Sequence, residues 1–179
     1  MLDYEGEVAI VLGGRGKDVP LDRAGELIWG YTLLNDLSAR DQPNPRPHSL
    51  TLGKNFDSSG SLGPCITVGE IADPRAVTFE THVNGELRQS GTTREMIFSF
   101  EEFIEHLSRD ITLHPGDMIS GGTCAGTAMD GAELDAQGRP HTDRFLRPGD
   151  QVEVSSPMIG TLSNRVVAKT GGPVVETPT

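Results

Sequence analysis

Apolar residues come in short bursts along this chain, separated by glycine- and proline-rich turns, a pattern of many strands and few helices. The segment Glu5-Gly6-Glu7-Val8-Ala9-Ile10-Val11-Leu12 is rich in β-branched and aliphatic residues and stops at Gly13-Gly14, which predicts a strand. Good helix formers follow Pro20, with Asp22 and Glu26 among them, so Leu21 to Ile28 predicts a short helix that Gly30 ends. A second strand is predicted over Tyr31-Thr32-Leu33-Leu34-Asn35, running into Asp36-Leu37-Ser38-Ala39-Arg40-Asp41. Three prolines then keep Gln42 to His48 out of any helix or central strand.

The clearest local signal is Asn84-Gly85, a turn pair suited to positive φ at both central residues. It lies between Phe79–Val83 and Glu86–Gln89 and predicts a tight hairpin. Ser99-Phe100-Glu101-Glu102 matches a capping box, and Phe103, Ile104 and Leu107 follow at helical spacing, so a helix is expected over about 100–109. Pro-Gly-Asp turns at 115–117 and 148–150 each introduce a strand, Met118–Ser120 and Gln151–Val154. A last strand is expected from Ile159 through Leu162 toward Val167. Asp130 to Arg144 and the tail from Thr170 to Thr179 are expected to be poorly ordered or exposed. The sum is an α+β, β-rich single domain over residues 1–168, with 169–179 as a flexible tail.

Composition sharpens this picture by exclusion. With 22 Gly and 12 Pro in 179 residues, a helical bundle is excluded, because each interior Gly or Pro weakens a helix. A formal net charge of -11 argues against a nucleic-acid partner, which needs a basic face. No apolar run approaches the roughly 18 residues of a membrane span, so no membrane association is expected. The first residues show no basic-then-apolar signal. Cys65 and Cys124 lie far apart without metal-ligand spacing, which suits reduced thiols and a cytoplasmic protein.

Three features carry candidate chemistry. Glu5 and Glu7 stand at i and i+2 of a predicted strand, so their carboxylates share one face, where a hard divalent cation would relieve their repulsion. An exposed acidic pair on an edge strand has the same signature. Asp36 to Asp41 sits where an apolar strand runs out, a place that delivers side chains to a cleft, although Asp36 as a helix cap with a local Arg40 pair fits equally. Lys54, between Gly53 and a turn of small residues, could meet an anion or simply face solvent.

Together these segments resemble the fumarylacetoacetate hydrolase family. The resemblance runs through Asp3-Tyr4-Glu5-Gly6-Glu7, Asn35-Asp36-Leu37-Ser38-Ala39-Arg40-Asp41 and Gly53-Lys54-Asn55-Phe56-Asp57. It continues in the family's order through Met96-Ile97-Phe98-Ser99, Leu113-His114-Pro115-Gly116-Asp117, Gly121-Gly122-Thr123-Cys124-Ala125-Gly126-Thr127 and Leu146-Arg147-Pro148-Gly149-Asp150, covering about residues 2–168. The resemblance implies the mixed β-sandwich and β-roll of that family's C-terminal domain. It implies that Glu5, Glu7 and Asp36 are metal ligands for Mg²⁺ (or Mn²⁺ or Ca²⁺), and that Lys54 is the catalytic lysine. Arg40 and Thr123 would bind substrate, with Asp41 and Ser58 behind them. The implied substrate is a small 2-oxo or 1,3-dicarbonyl acid that reacts through a metal-stabilised enolate, in C–C hydrolysis, hydration, isomerisation or decarboxylation. A homodimer is the implied assembly.

Two departures from the family shape a second expectation. Family members carry a substantial segment before the glutamate strand, whereas here Met1 stands four residues ahead of Glu5. No His precedes His48, so the family's water-activating His and acidic partner have no match. The alternative is therefore a catalytically incomplete metal- or ligand-binding subunit of a hetero-oligomer. Cys124 replaces a proline common in relatives and is expected to line the pocket as a small residue, not to act as a nucleophile.

Overall fold

Antiparallel pairing organises nearly all of the computed structural model, which describes residues 1–41, 51–64, 68–138, 140, 141 and 143–169. The first strand of substance, β2 (Gly6–Leu12), follows the two-residue β1 (Leu2–Asp3). It pairs on one side with β3 (Ile28–Asp36), whose outer neighbour is β5 (Gly60–Gly63), and on the other with β8 (Met118–Ser120). Because β2 is central and covered on both faces, its apolar run does not alternate. The second sheet has the order β10-β9-β6-β7, from β6 (Thr78–Val83), β7 (Glu86–Thr92), β9 (Gln151–Ser156) and β10 (Gly160–Arg165). The short β4 (Ser38–Ala39) pairs with β1.

Local chemistry explains several of these elements. Asn84 and Gly85 join β6 to β7 with φ of 52° and 81°, the left-handed pair that a two-residue hairpin requires. The helix α3 (Phe100–Leu107) is capped as its sequence dictates: Ser99 Oγ accepts from Glu102 N, while Glu102 Oε2 accepts from Ser99 N at 2.6 Å. Its Phe100 and Ile104 enter a core shared by Val8, Ile10 and Leu33 of the first sheet and Phe79, Val154 and Leu162 of the second. A smaller cluster joins Tyr4 to Val83, Ala128, Phe145, Leu146 and Val152. The result is the expected β-rich α+β sandwich with few short helices. No helix among the described residues is long and apolar enough to cross a membrane.

Some elements differ from the sequence expectation, and tertiary pairing is the reason. The first helix, α1, spans only Leu21–Ala24, and Gly30 does not end it. Ile28 and Trp29 instead extend β3, with Gly30 opposite Val11, because pairing with β2 outweighs local helix preference. Lys54 closes a one-turn helix, α2 (Thr51–Lys54), just before the turn of small residues. The strand β5 lacks β-branched residues and exists through pairing with β3. Between Asp130 and Arg144 the described residues form mostly exposed turns, closed by a bridge between Leu134 and Pro140. His48, Cys65 and the tail from Thr170 onward lie outside the described residues.

The two sheets approach closely at Gly6, where a Cβ would fall on Thr81 Oγ1 and come within 3.3 Å of Gln89 Oε1 and Val154 Cγ1. Gly6 is thus required by the approach of β6, β7 and β9, and it stands between the two candidate ligand glutamates. Gly6→Ala is expected to destabilise the protein by about 1–3 kcal/mol through overpacking. Gly69→Ala, at a glycine with no atom within 4 Å of the added Cβ, should leave the melting temperature nearly unchanged. Equal thermal melts for the two variants would refute the close approach.

Candidate active site

The end of the β2–β3 pair gathers the acidic residues. Glu5 and Glu7 project to one side of the chain by the two-residue period, and the register that sets Gly6 opposite Asn35 brings Asp36 beside them. A backbone bond from Asp36 N to Glu5 O at 2.9 Å fixes that register. One carboxylate oxygen from each of Glu5, Glu7 and Asp36 lies within 4.8 Å of the other two. Glu5 is 7 % and Glu7 3 % exposed. Behind them the buried Asn35 side chain accepts from Glu5 N at 3.2 Å and donates to Asn164 Oδ1 at 3.4 Å.

Two cations brace this cluster. Lys54 Nζ donates to Glu5 Oε2 and to Asp36 Oδ2, each at 2.6 Å. Ser59 Oγ donates to the Lys54 carbonyl at 2.7 Å and so fixes the end of α2. Arg40 pairs with Glu5 Oε1 at 2.5 Å through Nη2 and with Asp3 Oδ2 at 3.0 Å through Nε. Asp3 is fully buried, and its carboxylate also accepts from the backbone N–H groups of Tyr4, Ala128 and Met129. Such a network fulfils the condition for a buried carboxylate, which is tolerated only when paired and hydrogen-bonded.

Burial pushes the Glu7 carboxyl up to about 8, and the neighbouring Asp36 and Glu5 charges add to the shift. The Ser120 hydroxyl donates to Glu7 Oε2. Burial opposes the charge on Lys54, but its hydrogen bonds to Asp36 and Glu5 outweigh that cost and hold its pKa above the usual lysine range. The same balance, with Glu5 and Asp3 as partners, raises Arg40. Counted formally among the described residues, the carboxylates of Asp3, Glu5, Glu7 and Asp36 face the cations Lys54 and Arg40, which leaves a charge of -2. A divalent cation balances that charge, and an all-oxygen donor set suits a hard one.

The remaining site candidates fall in different places. Thr123, after β8, donates its hydroxyl to Gly6 O at 3.0 Å, which sets its loop against the glutamate strand. Arg40 and Asp36 form no isolated local pair, since Arg40 turns to Asp3 and Glu5 instead. Asp41 is more than half exposed and pairs with the Met1 amine at 2.6 Å. Ser58 lies at the rim of a separate cavity of about 400 Å³ with Phe56 and Leu37, at a φ of 67°. Cys124 lines an apolar cavity of about 380 Å³ with Phe79, Met96 and Phe103. Burial raises its thiol pKa, which disfavours a nucleophilic thiolate. Sequence reasoning missed Asp3, Asn35, Ser59, Gln89 and Ser120 as partners of the site. Asp3 was legible, since the acids at 3, 5 and 7 share one two-residue period.

Comparisons with known proteins agree with this architecture. The family model for the fumarylacetoacetate (FAA) hydrolase C-terminal domain matches residues 1–167. An oxaloacetate tautomerase of Bacillus subtilis is 41% identical over 167 residues, covering 92% of this chain and 52% of that protein. A fumarylacetoacetate hydrolase structure from Exiguobacterium antarcticum superposes with a TM-score of 0.80 at 38% identity, over 94% of this chain and 57% of that one. Fumarylpyruvate hydrolase from Pseudomonas aeruginosa, solved with Mn²⁺ and pyruvate, gives 0.78 at 30% identity, over 94% and 66%. The chain spans about half the length of the curated relatives it matches. On the match to its C-terminal domain and on the shared fold, the chain belongs to the fumarylacetoacetate hydrolase family.

Proposed function

We propose that this chain carries the metal- and substrate-binding machinery of an enzyme that enolises a small 2-oxo acid. Enolisation is common to tautomerisation, isomerisation and C–C hydrolysis of such acids, and the similarity to an oxaloacetate tautomerase supports the first as the reaction to test. One observation carries the proposal: Glu5, Glu7 and Asp36 converge within 4.8 Å, with Lys54 at their edge. Those three carboxylates would hold Mg²⁺, Mn²⁺ or Ca²⁺, and the Mn²⁺–pyruvate complex of a relative supports a divalent ion. When bound, the ion supplies Lewis acidity to the oxygens of the oxo acid.

The protein's own groups do the rest. Lys54 keeps its positive charge through neutral pH, so its ammonium can stabilise an enolate and hold a proton at Nζ. Arg40 fixes the Glu5 carboxylate from behind, with Asp3 holding the guanidinium in turn. Thr123 anchors the glycine-rich loop that borders the carboxylates. Because its free carboxyl titrates near 8, Glu7 must release a proton before it can act as an anionic ligand.

The proposal is tested by calorimetric titration of Mn²⁺. Wild type should bind, and Asp36→Ala should bind roughly a hundredfold more weakly or worse. Equal binding by the two proteins removes the metal assignment. Lys54→Met should retain Mn²⁺ while slowing oxaloacetate tautomerisation roughly 10²–10³-fold, measured by loss of enol absorbance. Turnover unchanged by that substitution would remove Lys54 from the chemistry.

Glu7 also predicts a pH dependence. Its folded pKa near 8 lies above the unfolded 4.5, so the metal-free protein binds the extra proton between those values. Stability of the metal-free protein should therefore fall as pH rises from about 4.5 to 8, by this group's contribution. Glu7→Gln should flatten that fall in thermal melts, whereas a variant with the wild-type slope would show that Glu7 is not its source.

A further inference from the structure

Gln89 lies on β7, in the sheet that contributes none of the carboxylates, and is 1 % exposed. Its Oε1 accepts from Gly6 N at 2.9 Å. Its Nε2 donates to Thr123 Oγ1 at 2.8 Å and to the Cys124 carbonyl at 2.9 Å. Thr123 Oγ1 donates in turn to Gly6 O at 3.0 Å. The bonds close a ring: Gly6 N–H to Gln89, Gln89 to Thr123, and Thr123 back to the Gly6 carbonyl. Both backbone polar groups of the residue between Glu5 and Glu7 are thus committed to it.

The backbone around the ring is shaped for this contact. A Cβ at Gly6 would collide with Thr81 and crowd Gln89, and a Cβ at Gly126 would fall on the Arg88 carbonyl. Gly126 has a φ of 105°, and its carbonyl accepts from Tyr4 Oη at 3.0 Å. The loop from Gly121 to Gly126 therefore passes directly over β7 at Gln89. An amide is the side chain that fits, because the ring needs one acceptor and one donor on the same planar group.

We infer that Gln89 is a positioning residue that fixes the Thr123 loop against the glutamate strand, and thereby sets how the substrate half of the site faces the metal half. Its bonds to Thr123 and Gly6 also define what Thr123 can offer. The threonine hydroxyl proton is spent on Gly6 O and one lone pair on Gln89, so Thr123 meets a ligand as a fixed loop anchor and not as a free hydroxyl donor. The loop geometry stands on the structure alone; its consequence for substrate rests on the proposed function.

The test compares Gln89→Met and Gln89→Glu with wild type. Hydrogen–deuterium exchange of amides 121–126 in metal-free protein reads the loop, and Mn²⁺ and then pyruvate titrations read the two halves of the site. In Gln89→Met the loop amides should exchange roughly tenfold faster. Mn²⁺ affinity should stay within about threefold, while pyruvate affinity for the Mn²⁺-loaded protein falls roughly tenfold. Gln89→Glu retains the acceptor for Gly6 and loses the donor. After correction for intrinsic rates, its loop should be fast at about pH 8 and slower at about pH 5.5, where a protonated carboxyl can donate to Thr123. Loop exchange like wild type in both variants, or equal exchange in the Met and Glu variants at both pH values, overturns the inference. So does a parallel loss of Mn²⁺ and pyruvate binding. If wild type binds neither Mn²⁺ nor pyruvate, the proposed function fails, while the loop exchange still decides the role of Gln89. Should Gln89→Met not fold, the two pH values of Gln89→Glu carry the decision.

Discussion

Three buried carboxylates, Asp3, Glu5 and Glu7, with the part-buried Asp36 beside them, are the constraint on which the site's surroundings depend. Asp3, Glu5, Glu7 and Asp36 could not be packed there without the part-buried cations Arg40 and Lys54 and the backbone N–H groups that meet them. That requirement accounts for features that otherwise look unrelated. It explains the fully buried Asp3, the turn of Arg40 away from its sequence neighbour Asp36, and the one-turn helix that ends on Lys54. It also accounts for Glu7, which no cation among the described residues touches: burial and the nearby Asp36 and Glu5 charges push its carboxyl up to about 8.

The second dependence is steric. Gly6 lets the sheet of β6, β7 and β9 approach the glutamate strand closely enough for Gln89 to reach both Gly6 and Thr123. Charge and packing therefore meet at adjacent residues: Glu5 and Glu7 face the cluster, and Gly6 between them faces the opposing sheet. A single segment of chain lines the acidic cluster on one side and the core on the other.

How much of this was legible in the sequence follows the range of the interactions. The hairpin at Asn84-Gly85, the capping box of Ser99 and Glu102, and the Pro-Gly-Asp turns depend on neighbours in sequence, and the structure forms them. Glu5, Glu7, Asp36 and Lys54 were legible as candidates because an ordered set of motifs carried them, and they converge. What failed was set at long range. Gly30 looked like a helix stop because nothing local reveals that Ile28 pairs with Leu12. Gln89 is an ordinary residue in a hairpin until the second sheet carries it to Gly6, and the bond from Ser59 to the Lys54 carbonyl depends on a turn geometry that no local signal gives.

The bond from Met129 N to Asp3 joins residues 126 positions apart, and it bears on how the molecule comes to exist. During synthesis the acidic strand emerges well before the loop that supplies its N–H donors, which lies about three quarters of the way along the matched residues. Until that loop docks, the Asp3 carboxylate lacks the N–H donors of Ala128 and Met129 that meet it in the finished cluster. The carboxylate geometry that would receive a divalent ion is then a property of the completed fold and not of the nascent chain. Such an ion would lock the native state by mass action instead of templating its formation. Cation occupancy would thus act as a seal on a finished molecule, applied after the two distant stretches of chain have met.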